Sequence, residues 1–297
     1  MTNLKYLRPE EYAALKLREI YSNCGYSFYK MSKFEEYDFY AKNKDFLVSK
    51  DIITFTDIDG KLMALKPDVT LSIVKHIHET QESIQKFFYD EKIYRTSKSS
   101  RTFKEISQAG LECIGLIDDS CISEVLELAL KSLQKISEIY DGKKFILDIS
   151  HLGLLSEILN NEINNEILKF ISEKNSHEIK NLNLPDYTKN ILVKLIELNP
   201  DNALNELKKI FNENKNLTQL EKIINTLEKY HNEISIDFSV INDLNYYNGI
   251  VFRGFIEGIP ESILSGGQYD NLMLRMGHKN LKAIGFAIYL DLLESAR

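Results

Sequence analysis

Apolar residues in the first half of the chain recur with two periods, about 3.6 residues in some segments and 2 in others. The first period is typical of helices packed on a core, and the second of strands. A turn signal, Asp59-Gly60, separates two β-rich runs and predicts a hairpin. The predicted elements, in order, are a helix over 9–21, a strand over 25–31, a hairpin over 52–65, a helix from Pro67, strands over 87–95 and 106–114, a helix over 118–140 and a strand over 145–149.

The pattern changes after about residue 151, where Leu, Ile, Lys, Asn and Glu recur at helical spacing without any strand signal. Strands resume at 235–241 and 250–257, Gly266-Gly267 is predicted to form a turn, and a last helix is predicted to begin near Gly285. The chain is therefore expected to be an α+β fold with a core of residues 1–151 and 231–297 and a helical insertion over 152–230.

Composition narrows the class of protein. The 297 residues include 37 Lys and Arg against 44 Asp and Glu, a net charge of −7, which counts against broad nucleic-acid binding. No apolar run reaches the roughly 18 residues of a membrane span, and the charged N-terminus does not resemble a signal peptide, so a cytoplasmic protein is expected. The three cysteines form no CxxC pair and favour buried thiols over disulfides.

Three short stretches bring together groups that can bind a small cation. Residues 65–70 place an acid and a hydroxyl at a helix start, residues 108–112 place Gln and Glu on one face of a strand, and residues 244–252 carry a Tyr pair. Each stretch alone is explained better by packing or by a surface position, but the set, in this order, predicts one pocket. Its candidate residues are Asp68, Thr70, Gln108, Glu112, Tyr246 and Tyr247.

These stretches, in this order, resemble the catalytic core of histidyl-tRNA synthetases, which are class II aminoacyl-tRNA synthetases. Residues 65–70 resemble a Leu-Arg-Pro-Glu-Gly-Thr motif, 93–115 resemble motif 2, 244–252 resemble the histidine-specific signature, 265–270 resemble a Gly-Gly-Arg-Tyr-Asp segment, and 285–293 resemble motif 3. The resemblance implies an antiparallel sheet flanked by helices, and it makes Arg95 the remnant of an ATP-binding arginine. It further implies that the six candidate residues bind histidine.

Two departures from the synthetase pattern bear on function. The signature arginine and the motif 3 arginine fall at Gly249 and Leu292. Losing one electrostatic group of this kind commonly costs about two to three powers of ten in rate, so adenylation is not expected. No anticodon-binding domain is expected after motif 3, and tRNA is therefore not an expected partner.

This combination resembles the regulatory subunits of ATP phosphoribosyltransferase, which are paralogues of the synthetase. The resemblance implies a non-catalytic chain with no cofactor or metal, a self-dimer, and a hetero-octamer with the short catalytic subunit. It also implies L-histidine as a feedback effector of the first step of histidine biosynthesis. Two alternatives stay open: a truncated synthetase-like enzyme that activates an amino acid with ATP, and an RNA-binding relic.

Overall fold

The chain folds around one large sheet in the computed structural model, which describes residues 6–47, 52–77, 84–97, 102–160, 164–241 and 246–296. The strands in these ranges are β1 (Ser27–Phe28), β2 (Phe34–Glu36), β3 (Thr54–Thr56), β4 (Leu62–Leu65), β5 (Gln85–Thr96), β6 (Phe103–Gly115), β7 (Phe145–His151), β8 (Ile234–Ile236), β9 (Ile250–Ile256), β10 (Leu264–Gln268) and β11 (Lys282–Tyr289).

Helices flank the sheet and fill the middle of the chain. The α-helices are α1 (Pro9–Asn23), α2 (Tyr37–Lys42), α3 (Thr70–Lys75), α4 (Asp119–Ile139), α5 (Leu152–Ile158), α6 (Asn165–Ser172), α7 (Ser176–Asn181), α8 (Asp186–Ile196), α9 (Ala203–Phe211), α10 (Lys215–Thr226) and α11 (Asp270–Arg275). Short 3-10 helices lie at Lys44–Phe46, Pro200–Asn202, Glu228–Tyr230 and Leu290–Ala296.

The large sheet has the strand order β1-β5-β6-β11-β10-β9-β7-β8. Its interior pairs are antiparallel, and β1 and β8 join its two edges in parallel. Because side chains alternate between faces, Leu111, Phe286 and Phe252 lie on one face, in the main hydrophobic core that also contains the buried side chains of α4. The expected α+β fold, with an antiparallel sheet flanked by helices, is confirmed.

The opposite face of the sheet is covered by a smaller layer. A three-stranded sheet in the order β2-β4-β3 lies there with α3 and α11, and a second hydrophobic cluster holds this layer together. The cluster includes Leu71 and Ile73 of α3, Met273 of α11, and Tyr89 of the large sheet, all buried. This layer covers polar residues of the large sheet, and a cavity lies between the two.

The predicted hairpin is present as β3 and β4. Its turn is held by Asp57, whose Oδ1 accepts hydrogen bonds from the amides of Asp59 and Lys61 at 2.9 and 2.8 Å. Gly60 has a φ of +81°, a conformation that glycine adopts without steric cost.

The helix predicted from Pro67 begins at Thr70 instead. Residues 66–68 run out of β4 without helical structure, and Asp68 Oδ1 accepts the amide of Leu71 at 2.8 Å. The acid therefore satisfies an N–H group that the first turn leaves without a helical partner, which fixes where the helix starts.

Two predictions near the C-terminus are wrong. Gly266 and Gly267 form no turn but lie within β10, where a Cβ would collide with Phe252 and Phe286 at the first position and with Tyr247 at the second. Gly285 starts no helix but lies within β11, paired to β6 and β10. Glycine serves at all three positions for close approach of neighbouring groups rather than for chain reversal.

The segment predicted to be helical consists of helices throughout the part of 152–230 that the structure describes. Its apolar faces join the main core, since Leu154, Leu192 and Leu220 belong to the same buried cluster as the sheet. A polar chain of contacts also ties it to the core: His151 Nε2 lies 3.1 Å from Gln219 Oε1, and Gln219 Nε2 donates to Asp119 at 2.8 Å. The domain boundaries themselves stay predictions.

None of the helices that the structure describes combines the length and the apolar character needed to cross a membrane.

Candidate functional site

A cavity of about 330 Å³ lies between the polar face of the large sheet and the layer that covers it. Its volume is in the range of small-ligand sites. All seven residues that the sequence singled out line it: Asp68, Thr70, Arg95, Gln108, Glu112, Tyr246 and Tyr247. The structure thus brings together residues that are up to 179 positions apart in the sequence.

Three local features place these side chains. Gln108 and Glu112 lie four residues apart on β6 and so point to the same face. Asp68 and Thr70 stand at the start of α3, above that face. The Tyr246–Tyr247 pair immediately precedes β9, and Leu244 and Asn245 of the same motif lie outside the described residues.

Glu112 is the most deeply buried acid of the cavity, with 2% of its surface exposed. Its two carboxylate oxygens accept hydrogen bonds of 2.6 Å from the hydroxyls of Thr70 and Tyr269. Burial raises the pKa of Glu112 to about 8, even though both hydroxyls favour the charged form. The carboxyl is therefore largely protonated at pH 7, and a cationic ligand group would favour its ionisation.

Gly285 makes room for this carboxyl group. It lies on β11 directly opposite Glu112, and a Cβ built on it would overlap the Glu112 carboxylate. Any side chain at position 285 would thus push Glu112 out of its hydrogen bonds with Thr70 and Tyr269. The same Cβ would also lie 2.5 Å from the carbonyl oxygen of Leu111, so the Glu112 carboxyl group and the neighbouring strand both require glycine here.

Asp68 and Arg95 form the second charged part of the cavity. Burial raises the pKa of Asp68, and the amide of Leu71 and the charge of Arg95 oppose that rise. Arg95 Nε donates to the carbonyl of Pro67 at 3.1 Å, which anchors the guanidinium beside the acid. The arginine is therefore held by the same segment that carries Asp68.

Tyrosine rings form one wall of the cavity. The Tyr246 ring lies 4.6 Å from that of Tyr247 and 5.6 Å from that of Tyr269, measured between centroids. Burial raises the pKa of all three hydroxyls well above the ordinary value, so they remain neutral groups that can donate or accept hydrogen bonds. The rings are tilted by 57° and 44° to one another, so the wall offers aromatic faces and edges together with hydroxyl groups to a polar ring.

Several lining residues were missed by the sequence reading. Tyr269 lay in a stretch that was noticed, and its role at Glu112 follows only from the fold. Arg253 lines the cavity and lies one residue beyond the 244–252 motif. It is two residues from Val251 on β9, so strand alternation places these two side chains on the same face of the sheet. Ser265 and Tyr289 lay in the noticed stretches 265–270 and 285–293 but were not assigned to the pocket, and Tyr89 of β5 gave no sequence signal.

The two positions read as lost arginines do not line the cavity. A Cβ on Gly249 would collide with the buried side chain of Gln268, and Leu292 packs against the main core. Within the described residues the cavity is lined by two arginines, Arg95 and Arg253, so it is not without positive charge. No three His, Cys, Asp or Glu side chains among those residues are grouped to hold a metal ion.

Comparison with known proteins identifies the family. Residues 6–293 match the family model of histidyl-tRNA synthetase. An ATP phosphoribosyltransferase regulatory subunit from Caldanaerobacter subterraneus subsp. tengcongensis is 31% identical over 95% of this chain and 78% of its own length. A histidine–tRNA ligase from Methanocaldococcus jannaschii is 28% identical over 96% of this chain and 71% of its own.

Solved structures share the fold. An ATP phosphoribosyltransferase regulatory subunit/histidyl-tRNA synthetase from Bacillus halodurans C has a TM-score of 0.84 at 23% identity, covering 100% of this chain and 81% of that one. A chain of the ATP phosphoribosyl transferase (HisG:HisZ) complex from Thermotoga maritima has a TM-score of 0.73 at 21% identity, covering 95% and 97%. The chain belongs to the histidyl-tRNA synthetase family, which includes the ATP phosphoribosyltransferase regulatory subunits.

Proposed function

We propose that this chain is a non-catalytic regulatory subunit of ATP phosphoribosyltransferase that binds L-histidine in the cavity and controls a separate catalytic subunit. The observation that carries the proposal is the 31% identity, over 95% of the chain, to a relative of that name. The chain then acts at the first step of histidine biosynthesis, in the cytoplasm, and needs no cofactor of its own.

The cavity suits histidine, whose ammonium and imidazole groups both bind to acids and hydroxyls. Asp68 and Glu112 supply the acids, and Thr70 and Gln108 supply polar groups beside them. Tyr246 and Tyr247 offer two aromatic rings, tilted by 57° to each other, against which the imidazole ring can pack. A buried acid requires a compensating partner, and a bound ammonium or imidazolium group is such a partner for Glu112.

Two features support a role without catalysis. The positions at which the synthetase pattern carries arginines hold Gly249 and Leu292. A larger side chain at 249 would collide with Gln268, so the local packing is built around the glycine. Arg95 is then the remnant of a nucleotide pocket that no longer performs adenylation.

The proposed partner is the short form of the ATP phosphoribosyltransferase catalytic subunit. A complex of this kind is the subject of the Thermotoga maritima structure whose chain shares this fold. We expect a self-dimer of the present chain within a hetero-octamer. Feedback inhibition then requires histidine to bind two states of the assembly with different affinity, since equal affinity would shift no equilibrium.

Reconstitution tests the proposal. The purified chain is mixed with the short catalytic subunit from the same organism, and phosphoribosyl-ATP formation is followed with and without L-histidine. We expect weak activity of the catalytic subunit alone, strong activity with this chain, and inhibition by histidine. Glu112→Gln should support activity but reduce the sensitivity to histidine. Two chains that neither associate nor alter each other's activity would refute the proposal.

The second candidate function is amino-acid activation with ATP. The presence of both Arg95 and Arg253 in the cavity favours it, because adenylation needs positive charge near the phosphates. Histidine-dependent exchange of pyrophosphate into ATP separates the two functions, since only the activating enzyme performs it.

A further inference from the structure

Arg253 stands at the end of the cavity opposite to the acids. It lies on β9, paired with Ser265 of β10, and its side chain lines the cavity. Glu112 lies on β6, three strand positions away in the sheet order. At about 4.8 Å per strand, the two backbones are roughly 14 Å apart across the sheet. The cavity therefore has an acid and a guanidinium on strands that are not neighbours in the sheet.

The Arg253 side chain is oriented by its surroundings. Its Nη2 donates to the carbonyl of Ile241 at 3.0 Å, and Ile241 itself lines the cavity. A guanidinium has five N–H donors in one plane, so it can keep this bond and bind a ligand carboxylate at the same time. A fixed guanidinium loses little side-chain freedom when the ligand arrives, which favours binding.

The charges around the two arginines of the cavity differ. Arg95 donates a hydrogen bond to the carbonyl of Pro67 and lies beside Asp68. Its charge therefore acts on an acid that is also proposed to bind the ammonium or imidazole group of histidine. Arg253 lies opposite Asp148 in the strand ladder, and Asp148 in turn lies near Asp237, which bonds Lys174 at 2.7 Å. Burial and the charge of Asp237 raise the pKa of Asp148 to about 6, and the charges of Lys174 and Arg253 oppose that rise. Asp148 does not line the cavity, so the acid nearest to Arg253 in the ladder differs from the two acids assigned to the cationic groups.

We propose that Arg253 binds the α-carboxylate of the histidine ligand, while Glu112 and Asp68 bind its cationic groups at the other end of the cavity. This assignment rests on the proposed function, because it takes histidine as the ligand. It makes Arg253 the residue by which the cavity distinguishes the amino acid from the corresponding amine. A charge-assisted hydrogen bond of this kind is expected to contribute about 10- to 100-fold in affinity.

Paired ligands test the assignment. L-histidine and histamine, which lacks the carboxylate, are titrated into the full chain and into Arg253→Gln, Arg253→Lys and Arg18→Gln. Arg18 is a matched control because it pairs with Asp90 away from this cavity. We expect Arg253→Gln to weaken histidine binding by about 10- to 100-fold and to change histamine binding by less than about threefold. The histidine affinity of Arg253→Lys should lie between those of the wild type and Arg253→Gln, and Arg18→Gln should bind both ligands as the wild type does.

The outcomes separate the assignment from the function on which it rests. Histamine binding that Arg253→Gln retains shows that the variant is folded. If its histidine binding falls at the same time, the assignment is supported. Unchanged histidine binding by that variant, or an equal loss for both ligands, overturns the role of Arg253 only. A wild-type chain that binds neither ligand overturns histidine binding in the cavity altogether, and the assignment with it.

Discussion

The buried carboxyl of Glu112 makes the stability of the protein depend on pH in a predictable direction. With an ordinary pKa of 4.5 and a value of about 8 in the folded chain, its ionisation there costs roughly 5 kcal/mol more than in water. A raised pKa means that the folded state holds the proton longer than the unfolded state does. The contribution is therefore fully present below pH 4.5 and is lost as the pH rises through 8.

Glu112→Gln removes this dependence because an amide mimics the protonated acid in shape and does not titrate. The free energy of unfolding is measured by urea denaturation of both proteins between pH 5 and pH 8. Relative to the variant, the wild type should lose about 1.4 kcal/mol for each step of one in pH, or about 4 kcal/mol in all. Glu197→Gln, which makes the same chemical change at an exposed position, serves as the control.

Parallel pH profiles for the wild type and Glu112→Gln would refute this reasoning, since they would mean that the carboxyl titrates alike in the folded and unfolded chains. A wild type that gains stability relative to the variant as the pH rises would refute the sign as well.

Three further predictions concern residues near the site and in the core. Gly285→Ala should weaken L-histidine binding at least about tenfold in calorimetric titration, because the new methyl group displaces Glu112; unchanged affinity would contradict this. Burial lowers the pKa of His151, so the wild type should lose stability relative to His151→Asn as the pH falls below 6.5, and equal urea midpoint shifts would argue against it. Lys66 is fully buried and pairs with Glu91, so Lys66→Met leaves that acid without its cation and should lower the free energy of unfolding in urea by about 3–5 kcal/mol. The double variant with Glu91→Gln should recover much of the loss.

The sequence was sufficient to predict seven of the residues that line the cavity, and for some of them the spacing follows simple rules. Gln108 and Glu112 were assigned to one face from strand alternation alone, and Asp68 was placed at a helix start from its position after Pro67. The resemblance to the synthetase core then supplied the long-range order that brings these segments together, and the family comparison confirms it.

The sequence was not sufficient where glycine has more than one role. Gly266 and Gly267 were predicted to form a turn and Gly285 to begin a helix. Each of them lies within a strand instead, where a neighbouring ring or carboxyl group occupies the space of its side chain. That cause lies in residues distant along the chain, so a local pattern does not contain it. For the same reason the hydroxyl of Tyr269 at Glu112 could be found only in the fold.

Histidine binding without histidine activation is tested most directly on the isolated chain. Equilibrium dialysis measures bound L-histidine, and the same preparation is then given ATP, Mg²⁺, L-histidine and labelled pyrophosphate. We predict saturable histidine binding that Glu112→Gln weakens, with no histidine-dependent exchange of label into ATP. Exchange by the wild type that the variant loses would show an activating enzyme, and an absence of histidine binding would contradict the assignment of the cavity.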